Sequence, residues 1–344
     1  MRISPIILSG LGLLACATMP ARADQGRFNE PGNILITDQF NNRVIEIDRD
    51  KNIVYSFGSN DPNLCNPGPG AIIAPNDAER LAGGLTLIAG TGTSTCPDNR
   101  VIVVDRAGNI LFQYGQAGVA GSGPNQLNVP VFALQTPHGN FLITDQANNR
   151  VILVNRNKQI LFSYGPTSGP GALNNPNSAE LLPNGHILIA DENNSRVIEI
   201  NRRGTNLFEY SAGLNIVAFA SRLPNGDTLI TDSGNNRIVE INPAKQVVFE
   251  YFTNLVAGSN PTPLPTGAVR LSNSETLIAD QFNNRVFIIT RGKATVFQYG
   301  MINVVGNGPN QLNAPYSAVE IGDYTGLTPP PGFGQNDQGE DLAD

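Results

Sequence analysis

The chain has 344 residues, 40% of them hydrophobic, which is enough for one large or about two ordinary domains and excludes disorder throughout. Its 22 Lys+Arg against 29 Asp+Glu give a net charge of −7, which argues against a nucleic-acid partner, since such binders normally show a basic face. Charged residues make up only 15%, while 36 Gly and 25 Pro suit many short strands joined by turns.

Residues 1–23 read as a secretory signal peptide: one basic residue (Arg2), an apolar stretch from Ile3 to Ala15, then Ala21-Arg22-Ala23 as the cleavage site. The mature chain would begin at Asp24 and be secreted or periplasmic. A rival reading takes Leu13-Leu14-Ala15-Cys16 as a lipoprotein signal, with Cys16 lipidated. The apolar stretch is too short for an ordinary membrane span, and no other segment is a transmembrane candidate.

From residue 34 onward one pattern repeats six times. Ile34-Leu-Ile-Thr-Asp38-Gln-Phe-Asn-Asn-Arg43-Val-Ile-Glu-Ile-Asp48 is matched by units carrying Asp145 and Arg150, Asp191 and Arg196, Asp232 and Arg237, and Asp280 and Arg285. A degenerate copy runs from Thr86 to Asp105 around Arg100. Alternating side chains and β-branched residues predict strands, and Asp-x-x-Asn-Asn suits a hairpin, because Asn tolerates left-handed dihedrals. A third strand follows, as in Ile110-Leu-Phe-Gln-Tyr-Gly115. An innermost strand precedes each unit, as in Asn177-Ser-Ala-Glu-Leu-Leu182.

Four strands per unit and six units predict an all-β chain: a six-bladed β-propeller with four-stranded antiparallel blades. Blade one lacks its innermost strand, which reappears at the other end as Ala314-Pro-Tyr-Ser-Ala-Val-Glu-Ile321, so the C-terminal strand is expected to close the ring. The propeller should span residues 24–324. Alanines 78, 133, 179, 220, 268 and 318 fall at one level of the innermost strands, where neighbouring blades or the ring interior leave no room for a longer side chain. A feature present in almost every blade serves what every blade needs, so the Asp–Arg pairs are read as structural hairpin residues.

These segments resemble NHL repeats, a β-propeller family. Gly123-Pro-Asn-Gln-Leu-Asn-Val-Pro130 and Gly308-Pro-Asn-Gln-Leu-Asn-Ala-Pro315 are similar to that family's inter-blade segment, and Phe-x-Tyr-Gly to its closing strand. The resemblance covers about Pro31 to Ile321 and implies a fold more than an activity, because such propellers serve as binding platforms, lyases and hydrolytic or transfer enzymes. The histidine-bound zinc of NHL-type amidating lyases cannot be assembled from two histidines. His138 and His186 both fall at turns, which also leaves no convincing catalytic histidine for an arylsulfotransferase-like enzyme, although such repeats look similar. The tryptophan motifs of quinoprotein propellers are missing, since the chain has no Trp.

Blade two departs from the pattern. Gly90 stands where the hairpin Asp should be, and Asn60–Gly70 and Gly90–Asp98 are insertions holding Cys65 and Cys96. Both insertions should emerge on the face that carries the inter-blade loops, so Cys65 and Cys96 are expected to form a disulfide.

One catalytic possibility remains. Asn76, Asp77 and Glu79 in one inner strand, with Asn177 and Glu180 in another, could bind a ligand at the channel mouth, Ca²⁺ being the metal their oxygens would suit. The opposing reading makes them polar channel lining wetted by water. Residues 325–344, rich in Pro, Gly and acid, read as a disordered tail. The leading reading is a non-catalytic exported scaffold that binds a protein, peptide or glycan on its inter-blade loop face. The runner-up is a Ca²⁺-dependent hydrolase or lyase centred in the channel, or an arylsulfotransferase-like enzyme.

Overall fold

In the computed structural model, residues 27–333 are described; the signal segment, Cys16 and everything past Phe333 lie outside them. The chain forms six four-stranded antiparallel sheets arranged as a six-bladed propeller. Blades two to six each use four consecutive strands, with Pro75–Arg80, Pro130–Gln135, Pro176–Leu181, Val217–Arg222 and Pro265–Arg270 innermost. Blade one is built from both ends of the chain: Pro315–Glu320 pairs with Ile34–Asp38, followed by Arg43–Ile47 and Ile53–Gly58. Pro315–Glu320 also touches the inner strands of blades two and six, which completes the circle.

The hydrophobic core is divided into six clusters, each between two neighbouring blades. In blade one, Ile34 and Ile36 face blade six while Leu35 faces blade two. Second strands are therefore buried on both faces, which is why they read as continuous apolar runs such as Ile-Leu-Ile-Thr. All six alanines of the inner strands are buried at these blade-to-blade contacts.

Third strands alternate, yet their polar positions are not left to water. Glu46 is fully buried and pairs with Arg80 of blade two (2.6 Å); Glu199 pairs with Arg222 of blade five (2.9 Å) and Glu240 with Arg270 of blade six (2.5 Å). Between blades three and four the same two positions are Leu153 and Leu181, which pack together in one apolar cluster. A charge pair and an aliphatic pair thus fill equivalent inter-blade sites, as expected where desolvation and attraction nearly cancel.

The hairpin residues explain the repeat. In blade three, Asp145 accepts from Arg150 Nε (2.7 Å), from Asn148 Nδ2 (2.8 Å) and from the Asn128 backbone N–H (2.7 Å) in the incoming inter-blade loop. Asn149, left-handed at φ 51°, uses its side-chain oxygen to hold the N–H of Asn175 in the next loop (2.7 Å). Asp191 and Asp232 make the same three contacts, and Asp38 holds the N–H of Asn313, next to the closing strand. In blade six the matching loop position is Pro263, which has no N–H; Asp280 keeps Arg285 and Asn283, but its Oδ1 is left without a partner.

Blade two restores the missing carboxylate from the other side of the hairpin. Asp98 binds Arg100 and the Ile73 N–H (2.8 Å), and a Cβ at position 90 would lie 2.8 Å from Asp98 Cγ. Gly90 is therefore the residue that admits Asp98. Cys65 and Cys96 form the expected disulfide, tying the loop between blades one and two to the blade-two hairpin.

Residues 325–333 differ from the expected solvated tail. They lie against the propeller, with Thr328 4% exposed and hydrogen-bonded to Glu180 and Leu181. Buried acceptors on the inner strands supply the partners that composition alone did not suggest.

Replacing Asp38 by Ala would strand Arg43, whose side chain is 4% exposed, and free the Asn313 N–H. The expected loss is about 3–5 kcal/mol in urea unfolding. Cys96→Ser, measured the same way under non-reducing conditions, is expected to cost about 3 kcal/mol.

Candidate functional site

The six inner strands surround a central channel, and each carries a register irregularity at its first residues that turns the second residue inward. Entry to these strands is constrained as well. The residue before each, Ala74, Val129, Asn175, Ile216, Leu264 or Ala314, is left-handed, with φ between 41° and 56°. For a β-branched residue such as Val129 or Ile216 this is unfavourable, and five of the six also precede proline. In every blade a side-chain oxygen of the preceding hairpin accepts from that residue's N–H, which holds the conformation.

At the hairpin end polar side chains cross the channel. Tyr316 of blade one reaches across the axis, and its hydroxyl accepts from Asn177 Nδ2 of the opposite blade (2.8 Å). Asn177 also donates to Glu192 (2.7 Å), which accepts from Gln146. Asn76 accepts from Gln39, and Gln39 from Gln281. Burial pushes the Tyr316 phenol far up, and the Glu192 carboxylate beside it adds to the shift.

At the other end the chain beyond the closing strand crosses the channel mouth. Beyond the closing strand, Tyr324 donates its hydroxyl to the Arg80 carbonyl (3.1 Å), and Thr328 donates its backbone N–H to Glu180 (2.8 Å). Between these two crossings lies a cavity of about 60 Å³, room for a few waters. Asp77, Glu79, Glu180, Phe132, Phe219 and Ser317 are among its lining residues.

All five channel residues singled out from the sequence line this cavity. Their roles divide. Asn76 and Asn177 belong to the hydrogen-bonded network at the hairpin end. Asp77 and Glu79 accept from the Ala133 and Gln135 N–H groups on the free inner edge of blade three (3.3 and 2.9 Å), amides with no strand partner. Glu180 is engaged by Thr328. Burial raises the Asp77 carboxyl to about 7 and Glu180 to about 8. Burial likewise lifts Glu79 well above its usual range, and Glu180 and Asp77 push it further. Among the described residues, no group of three or more His, Cys, Asp or Glu side chains is arranged to hold a metal ion.

His138 and His186 sit in turns at the opposite end of the blades from the hairpins, with His186 Nδ1 2.7 Å from Glu199. Tyr316 and Thr328 were not anticipated. Tyr316 lies in the sequence of the closing strand, and its place opposite Asn177 follows only once the ring is counted. Thr328 gives no sequence signal. No helix among the described residues is long and apolar enough to cross a membrane.

No protein-family model matches the chain, and no curated protein matches it. Solved structures do. A streptogramin B lyase structure is 16% identical, with 81% of this chain and 82% of that chain covered and a TM-score of 0.55. A protein of unknown function from Bacteroides caccae is 18% identical over 80% of this chain and 97% of that one, with a TM-score of 0.58. These likenesses show the propeller fold.

The raised carboxyls set a pH dependence. Between the unfolded pKa near 4 and their folded values, the native state holds protons that the unfolded state has lost, so the stability that protonated Asp77 and Glu180 contribute falls as pH rises through that interval and is gone above about 8. A Glu180→Gln variant is expected to show a shallower fall in melting temperature between pH 4 and pH 8 than the parent protein. An unchanged slope would mean that Glu180 ionises normally.

Proposed function

We propose that the protein is a non-catalytic binding scaffold that engages a protein, peptide or glycan with its inter-blade loop face. The observation that carries this reading is where the open surface lies. The channel is crossed at both ends by its own side chains and C-terminal segment, leaving a space of about 60 Å³ between them, and the three carboxyls lining it serve backbone amides or the C-terminal segment. The loops on the hairpin face instead expose large apolar side chains: Leu255 at 77%, Val305 at 62%, and Val119, Met301 and Val304 at lower values. Adjacent loops support one another there, with Asn60 and Asn307 exchanging hydrogen bonds and the disulfide fixing the loop between blades one and two. Exposed apolar side chains on rigidly held loops suit recognition. The NHL resemblance of the repeats and the signal-like first 23 residues fit a scaffold that works outside the cytoplasm.

The test is a screen of the mature chain (residues 24–344) on peptide and glycan arrays, followed by Leu255→Ser with Val305→Ser. A ligand whose binding falls at least tenfold in this double variant, and is unchanged by Asp77→Asn, supports the scaffold. A ligand lost with Asp77 or Glu79 instead overturns it.

A second reading is favoured by one observation: Asp77, Glu79 and Glu180 surround one cavity, with carboxyls raised into or towards the range of general acids and bases. It makes the channel the site of a hydrolase or lyase, the calcium-dependent type included, with the C-terminal segment displaced. The fold shared with a streptogramin B lyase structure is compatible with this but does not carry an activity. Metal analysis of protein purified without chelator, with melting curves in EDTA, tests the calcium form. Stoichiometric divalent ion would favour it; no ion and no EDTA shift would end it.

A further inference from the structure

The third and fourth strands of each blade are joined by a tight turn, and all six turns stand at the end of the ring opposite the hairpins. Each turn contains one left-handed residue: Lys51, Gly108, Lys158, Gly204, Lys245 and Lys293, with φ from 62° to 88°. Glycine occupies such a position without a steric penalty, and Asn or Asp can offset it through local hydrogen bonds; Lys has neither advantage. Yet four of the six positions are Lys, and these are all the lysines in the chain. Local backbone preference therefore works against the residue found.

All four lysines are exposed, and none forms an ion pair among the described residues. Lys51, Lys245 and Lys293 lie within 5.2–5.8 Å of the ring centroid of a Phe on the neighbouring blade, which keeps their ammonium groups at the rim. The carboxylates in these turns are Asp48, Asp50 and Asp105, and Arg27 binds the first two. Just beyond the turns, the outermost strands open with exposed aliphatic side chains: Leu111 (59%), Leu161 (36%), Leu207 (51%), Val248 (45%) and Val296 (53%). One rim of a net-negative protein thus alternates cations with aliphatic groups.

We propose that this rim docks on an anionic lipid surface, the lysines meeting headgroup phosphates and the aliphatic side chains entering the interface. A soluble polyanion would answer the charges alone and leave the aliphatic ring unused, whereas a bilayer surface is complementary to both. Each lysine near such a surface is expected to strengthen binding about fivefold. The opposite face, with its apolar loops, would then point away from the lipid.

The test compares the mature chain with a Lys51→Gly, Lys158→Gly, Lys245→Gly, Lys293→Gly variant in co-sedimentation with vesicles of phosphatidylcholine alone or mixed with phosphatidylglycerol. Glycine relieves the left-handed strain, so the variant should melt no lower than the parent, and lost binding cannot be ascribed to unfolding. The expected result is binding of the parent to the anionic vesicles only, weakened at least a hundredfold in the variant. A Leu111→Ser, Val296→Ser protein should bind the same vesicles more weakly while its retention on dextran sulfate is unchanged. Absence of vesicle binding, or equal binding by the lysine variant, overturns the proposal. Equal vesicle binding by the serine variant overturns it in favour of a polyanion surface.

Discussion

A propeller must carry its chain from the rim of one blade to the centre of the next, six times, and each return has to bend the backbone sharply before the inner strand begins. Here that bend is a left-handed residue that is not glycine, and it persists because polar side chains on the hairpins beside it leave it little alternative. A buried Asp holds the Arg, a neighbouring Asn and, in most blades, one loop amide of its own blade, while a second Asn or Ser from the preceding blade holds the amide at the bend. The network fixes where each inner strand starts, and hence which residues reach the channel. Blade six, where Pro263 leaves Asp280 Oδ1 unpartnered, shows that the arrangement tolerates one missing contact; blade two shows that it does not dispense with the carboxylate, since Asp98 is brought in across the hairpin.

Much of this was legible in the sequence because it is periodic. Six repeats, two complementary ends and two cysteines in the odd blade were enough for the ring, its closing strand and the disulfide. The partners of the repeated polar residues were less legible. Glu46, Glu199 and Glu240 look like solvent positions on an alternating strand, and only the packing of one blade on the next reveals that each meets an Arg of the following blade, 23 to 34 residues on. The substitution of Asp98 for a residue at position 90 depends on a hairpin bulge that spacing does not disclose. The channel residues were found because carboxylates at strand starts are unusual, but their engagement with backbone amides and with Thr328 is a matter of three-dimensional adjacency. Composition pointed the other way for residues 325–333, whose prolines and glycines suggested a solvated tail.

The two ends of the ring have different chemistry. Hairpins and inter-blade loops share one end, where arginines are neutralised by buried carboxylates and apolar loop residues are exposed. The turns between third and fourth strands share the other, where the lysines concentrate. Both patterns are set by topology: strand order alone decides which connections are neighbours, so a preference repeated blade by blade becomes a property of a whole face.

Because blade one borrows its innermost strand from residues 315–320, the ring cannot close until the end of the chain is available. Asp38 waits for Asn313 across 275 residues of sequence. During synthesis or export, five blades can form while the first remains a three-stranded sheet with an open edge. A chain interrupted before residue 315 would lose a single strand in sequence but would present two unsealed blade faces to solvent. The final strand thus works as a check on completeness: only a full-length molecule hides its sticky edge from proteases and from other unfinished chains.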